Sequence, residues 1–189
     1  YPIIMIHGHA FNKGLAADYG LDGYNKLQRE LENDGYLNAG ILTLYTKMNN
    51  EGELGEVGVP ITVKGSYYFD VYQSADNPVE IQTKSENIDT YAIRLKEMID
   101  ILKYKTGKPK VILVGYSMGG LVARRYVQIF GEQNIEKLIL IGTPNHGVKN
   151  RVADLCPFLG ESLECRDLTE GSLFLNKPNS PKLPNIPIY

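Results

Sequence analysis

The chain has 189 residues, 43% of them hydrophobic and 22% charged, with a formal net charge of -2. That length fits one domain with a sizeable core, and the near-neutral balance gives no electrostatic basis for binding nucleic acid or an anionic membrane. No apolar run approaches the roughly 20 residues that cross a bilayer.

The chain opens on "YPIIMIHG", already inside what reads as a strand, so the expectation is a sequence cropped at its start. Residues 2–8 form a continuous apolar run ending in glycine, as a strand buried on both faces would. In "LDGYNKLQRELENDGY", Asp22 reads as a helix cap, Tyr24, Leu27 and Leu31 as one face, and Gly35 as the stop. Residues 39–46, "AGILTLYT", read as the next strand.

From about residue 47 to 84 the rhythm breaks. Several glycines, Pro60, Pro78 and the aromatic cluster "SYYFDVY" read as a loop-rich insertion holding a β-ribbon. It is either a lid over a pocket or a ribbon packed on the body. Regularity then returns: Ile88, Tyr91, Ala92, Leu95, Met98, Ile99 and Leu102 recur at helical spacing, and Gly107 ends that helix. Residues 110–115, "KVILVG", predict a strand, "GGLVARRYVQIFG" a helix, and residues 135–142 another strand. The closing "IPIY" reads as the onset of one more buried strand. Strands alternating with amphipathic helices predict an α/β fold with a mostly parallel sheet and helices on both faces.

The junction at residues 115–119, Gly115-Tyr116-Ser117-Met118-Gly119, matches G-x-S-x-G. The pentapeptide alone is a weak signal, and its context carries the reading. It stands where an apolar strand hands over to a helix, so Ser117 is expected on a tight, strained turn at the carboxyl edge of the sheet. Gly115 and Gly119 leave room there for strand and helix to approach. The amide of Met118 opens the helix, has no intrahelical acceptor and lies at the positive end of the helix dipole. It is a suitable donor to the oxyanion of acyl transfer. A second donor is expected after the first strand, in "HGHAF", where the amide of His9 is the first candidate and those of Ala10 and Phe11 the next. The structural alternative at both places is a loop without chemistry.

Cys156 and Cys165 close a short loop and are either a disulfide or two free thiols. Three histidines and two cysteines show no ligand spacing on one element, so no metal is expected. With neither a phosphate loop nor a G-x-G-x-x-G turn, nucleotide binding is not supported.

The segments "IIMIHGHAF", "VILVGYSMGGLVARRY", "LILIGTPNHG" and "CRDLTEGSLFLNK", in this order, resemble serine lipases and esterases of the α/β-hydrolase fold of bacterial or archaeal type. The resemblance implies a single α/β-hydrolase domain and a carboxylic ester hydrolase without a cofactor. It implies Ser117 as nucleophile, an ester or lipid substrate and contact with a lipid interface. It also implies a pocket wall at Tyr116, where the family often has histidine, and at His146 of the "TPNHG" loop. Pairing of Cys156 with Cys165, and with it a secreted or extracytoplasmic location, is implied in the same way.

Chain order in that fold is serine, acid, histidine. After Ser117 stands one histidine, His146, in a loop where the family has no base. Asp154 reads as a solvated loop charge and Asp167 as a cap for the helix that follows it. The expectation is therefore that the 189 residues are part of a longer protein whose catalytic acid and base lie further on. The alternative is a non-catalytic α/β-hydrolase-like domain that binds a ligand or partner.

Overall fold

The computed structural model describes residues 1–9, 19–44, 51–73, 78–83, 86–149, 154, 156, 161–177 and 184–189. Five parallel strands form the main sheet: β1 (Ile3–Ile6), β2 (Leu37–Leu42), β3 (Ile61–Gly65), β6 (Val111–Tyr116) and β7 (Ile135–Ile141), in the order β2-β3-β1-β6-β7. A separate antiparallel hairpin joins β4 (Phe69–Gln73) to β5 (Pro78–Gln82).

The apolar runs of β1 and β6 alternate between two cores, because successive side chains of a strand point to opposite faces. Ile4, Ile6 and Leu113 enter the larger core, with the buried faces of α2 (Ile88–Thr106) and α3 (Met118–Phe130). Ile3, Met5 and Val114 enter a smaller one with Tyr24 and with Leu31 of α1 (Asn25–Asn33). Helices thus cover both faces, and strands in that position have no polar side to show.

Helix α2 buries the stripe expected of it. Asn87 accepts the amide of Thr90 at its start, at 2.9 Å, and Gly107 closes it at φ 61°, a left-handed cap at which a side chain is strained. Helix α1 departs from expectation in two ways. Asp22 lies inside a 3-10 helix (Tyr19–Tyr24) and receives the side-chain amide of Asn25; Tyr24, not Asp22, is the N-cap residue. Leu27 is exposed, and Gln28 takes the inward position because its side-chain amide has partners there, Asn38 Oδ1 at 2.9 Å and the buried Thr62 Oγ1 at 3.2 Å.

The segment read as an insertion is only partly one. Ile61–Gly65 is an integral strand between β1 and β2, and the ribbon follows it. Tyr67 and Tyr68, read as part of that ribbon, are fully buried and pack against the His7 ring, with centroids 4.1 and 4.4 Å away. The final residues lie beside β7: Ile188 pairs in parallel with Leu138, and Leu140 donates to the carbonyl of Tyr189 at 2.8 Å. Ile188 and Tyr189 are nevertheless exposed. The remaining helices are α4 (Ser162–Leu168) and α5 (Leu173–Asn176).

Candidate active site

Strand β6 stops at Tyr116 and α3 starts at Met118, leaving Ser117 alone to turn the chain. Its φ of 51° and ψ of -121° put it in a sparsely populated region, and among the described residues it is the one non-glycine at positive φ. Two hydrogen bonds fix the bend: Ser117 N–H donates to Ile141 O at 2.8 Å, and Gly120 N–H donates to Ser117 O at 3.0 Å. Ser117 is half-buried, while Tyr116 beside it is 51% exposed.

Small residues make this geometry possible. A Cβ on Gly115 would stand 2.7 Å from the backbone of Gly120, and one on Gly119 would stand 2.3 Å from His7 O. Gly120, which the pentapeptide pattern does not include, is as tightly constrained, since a Cβ there would lie 1.8 Å from Thr143 Oγ1. The loop after β1 closes on the same turn, with a Cβ on Gly8 reaching to 2.9 Å from Ser117 Cβ. The His-Gly loop and the serine turn are therefore in direct contact. Met118 is buried at the start of α3, where the first amides of a helix lack intrahelical acceptors. Ala10 and Phe11, the fallback donors, lie outside the described residues.

His7 and His9 are buried and tied in place. His7 Nδ1 is 2.8 Å from the Gly8 carbonyl, which only accepts, so this nitrogen carries the proton. His7 Nε2 lies 3.0 Å from Ser66 Oγ, and Tyr67 donates to His7 O at 2.7 Å. His9 Nδ1 meets the carboxylate of Glu164 on α4, both side chains being out of solvent. That carboxylate also accepts the hydroxyls of Tyr68, at 3.1 Å, and of Tyr91. Burial pushes the Tyr91 phenol well up, and the charge of Glu164 adds to it, so Tyr91 keeps its proton and donates.

Cys156 and Cys165 are joined as a disulfide with Cα atoms 5.6 Å apart. Its sulfurs lie 3.8 and 3.9 Å from His9 Nε2. His9, Cys156 and Cys165 are the one group among the described residues with clustered potential metal ligands. With the sulfurs bonded to each other they are not thiolates, the form that ligates zinc.

His146 occupies an exposed turn closed by Gly147 N–H donating to Pro144 O at 2.9 Å. Its neighbour Asn145 accepts from Arg124 of α3 at 2.8 Å. Tyr116 reaches this loop, its ring lying 3.9 Å from where a Cβ on Gly142 would stand. Asp154 is exposed. Asp167 does not cap the helix that follows. Its Oδ2 accepts Ile88 N–H at 3.2 Å, capping α2, while Ser172 caps α5.

Sequence reasoning found the serine turn and the His-Gly loop but not Glu164, Tyr68 or Tyr91. The only signal for Glu164 is its position beside Cys165, and nothing in that spacing points 155 residues back to His9.

Comparisons with known proteins bear on the fold. Residues 69–155 match the model of a family described as alpha/beta hydrolase fold. No curated protein matches the chain in sequence. Among solved structures it is similar to phospholipase PlaB from Legionella pneumophila, at 16% identity and TM-score 0.57, over 94% of this chain and 34% of that one. The Bacillus licheniformis lipase BlEst2 in mature form is similar at 18% identity and TM-score 0.49, over 95% of this chain and 60% of that one. Aspergillus fumigatus lipase B is similar at 15% identity and TM-score 0.49, over 95% and 33%. The chain thus spans between a third and three-fifths of these proteins. Its parallel sheet, its helices on both faces and its family-model match make this an α/β-hydrolase fold.

Proposed function

We propose that this chain carries the nucleophile and oxyanion hole of a serine ester hydrolase acting on an ester or lipid. The observation that carries the reading is the backbone of Ser117, at φ 51° and ψ -121° between β6 and α3. It is the residue a strand–helix turn would not strain without a use for its hydroxyl.

On this reading Ser117 Oγ attacks the ester carbonyl carbon while a general base takes its proton. The carbonyl oxygen becomes an oxyanion held by the amides of His9 and Met118. The leaving alkoxide departs with that proton, and water then releases the acyl group by the same steps. Tyr116 and His146 are assigned to the wall of the pocket. No step needs a metal or cofactor. The base and acid are assigned to residues outside this chain, because its own candidates are otherwise placed. His146 sits on an exposed turn, Asp154 is exposed, Asp167 holds the start of α2, and Glu164 holds His9. The similarity to a phospholipase supports an ester or lipid substrate. The exposed apolar side chains of Tyr116, Ile141 and Leu173 are assigned to contact with lipid, and the disulfide supports an extracytoplasmic location.

The engagement of His7, His9, Glu164 and Asp167 by other partners favours the second reading, a non-catalytic binding domain. A fluorophosphonate separates the two, because it reacts only with an activated serine. A longer protein containing this chain is expected to be labelled at Ser117 and to hydrolyse a short-chain ester, both lost in Ser117→Ala. The 189 residues alone are expected to be almost inactive. Hydrolysis unchanged in Ser117→Ala would overturn the reading. A folded protein that takes no label but binds ester analogues would establish the second.

A further inference from the structure

Resting on that reading, we infer that Glu164 is a positioning residue for the oxyanion hole, acting through the side chain of His9. His9 is proposed to stabilise the oxyanion with its backbone amide, while its imidazole serves as a handle on the loop. That handle is gripped on both ring nitrogens. Nδ1–H donates to Glu164, and Nε2 lies against the disulfide that ties Cys165, the residue after Glu164, to Cys156. The grip is itself anchored. The Glu164 carboxylate accepts from Tyr68, which follows β3, and from Tyr91, in the first turn of α2.

Three separate elements thus converge on one carboxylate with no exposed surface, and the carboxylate fixes the residue next to Gly8, which abuts Ser117. A chain that needed only a filled core there would use an apolar side chain. Burying a carboxylate is unfavourable unless its acceptors are satisfied by well-placed donors. Here the donors hold it in one orientation, and that orientation sets where His9 can lie. The His9 amide then meets the developing negative charge without reorganising, which is the condition for a large electrostatic effect in the transition state.

The test uses a longer protein that contains this chain and hydrolyses esters. Glu164→Ala and Glu164→Gln are compared with wild type for ester kinetics and for binding of two probes. One probe is a trifluoromethyl ketone, which forms an oxyanion on Ser117. The other is a non-hydrolysable ether analogue of the ester, which does not. Glu164→Ala is expected to lower kcat about 10- to 100-fold, a displaced donor being felt mainly in the transition state. KM should change less than about twofold. Affinity for the ketone should fall in step with kcat, and affinity for the ether should not change. Glu164→Gln, which keeps the shape and an acceptor oxygen, should fall between Ala and wild type. If Glu164→Ala does not fold, Glu164→Gln decides, with a loss of ketone affinity of about threefold or more expected. A folded variant that binds the ketone as tightly as wild type overturns the inference. Failure of the serine reading looks different: wild type takes no fluorophosphonate, and this inference falls with it.

Discussion

Gly8 lies against Ser117 so closely that a methyl group on the glycine would stand 2.9 Å from Cβ of the serine and 3.2 Å from the carbonyl oxygen and a ring carbon of Tyr116. The loop after the first strand and the turn after β6, more than a hundred positions apart, are therefore packed as one unit. Gly8→Ala is expected to cost about 1–3 kcal/mol through overpacking. It should also slow fluorophosphonate labelling of Ser117 about tenfold or more by displacing the nucleophile. Gly23→Ala is the control, since a Cβ there meets nothing within 4 Å. It should leave labelling unchanged and stability the same or up to about 1 kcal/mol higher. Labelling at the wild-type rate in a folded Gly8→Ala would show that this contact does not hold the serine in place.

Strain at Ser117 gives a second measurable consequence. A Cβ at φ 51° and ψ -121° is disfavoured whatever the side chain carries, so Ser117→Ala removes the hydroxyl and keeps the strain. Ser117→Gly removes both. Neither variant should hydrolyse esters or take a fluorophosphonate. Ser117→Gly should be the more stable of the two by about 1–2 kcal/mol, the relief of strain outweighing the flexibility of glycine in the unfolded chain. Equal melting temperatures for the two would mean that the turn stores no strain at that residue.

What was legible in the sequence is what depends on period and punctuation. Helix α2 was readable because seven apolar residues recur at helical spacing and Gly107 ends it; β1, β6 and β7 were readable as apolar runs before glycine. Strand β3 was not, because Ile61–Gly65 is short and stands among glycines and prolines, where turn signals outweigh a strand pattern. Leu27 and Gln28 exchanged places because only tertiary structure shows the partners of a buried amide. The serine turn was legible as a local motif. The carboxylate that holds His9 was not, since a side-chain hydrogen bond across 155 residues leaves no local pattern.

The disulfide supports a third prediction. Cys156 and Cys165 are nine positions apart, and closing so short a loop is worth about 2–3 kcal/mol in the chain-entropy account. Reduction, or Cys156→Ser with Cys165→Ser, should lower the melting temperature by about 5–10 °C for a chain of this size. Because the sulfurs also lie against His9 Nε2, labelling of Ser117 should slow at temperatures where the reduced protein is still fully folded. A reduced protein that melts earlier but labels at the oxidised rate would confine the disulfide to a purely structural part.

Asp167 allows a prediction with a definite sign. Burial pushes its carboxyl up, more than the Ile88 amide and the Arg166 charge pull it down. The folded protein then holds this proton to a higher pH than the unfolded chain, whose carboxyl titrates near 3.8. Between the two values the native state binds more protons, so stability falls as pH rises through that window. Asp89 works in the opposite sense. Burial pushes it up too, but Arg125 and Lys177 outweigh that and hold it low, so its contribution is lost only as pH falls below about 3.8. Asp167→Asn keeps an oxygen for the Ile88 amide and has no proton to lose. Urea unfolding across a pH series should therefore show a decline in wild type just above pH 3.8 that Asp167→Asn lacks. Asp167→Ala should lose the cap itself, at a cost of about 0.5–2 kcal/mol at every pH. Parallel curves for wild type and Asp167→Asn would mean that the carboxyl titrates alike in both states, and that its contact with Ile88 offsets its burial.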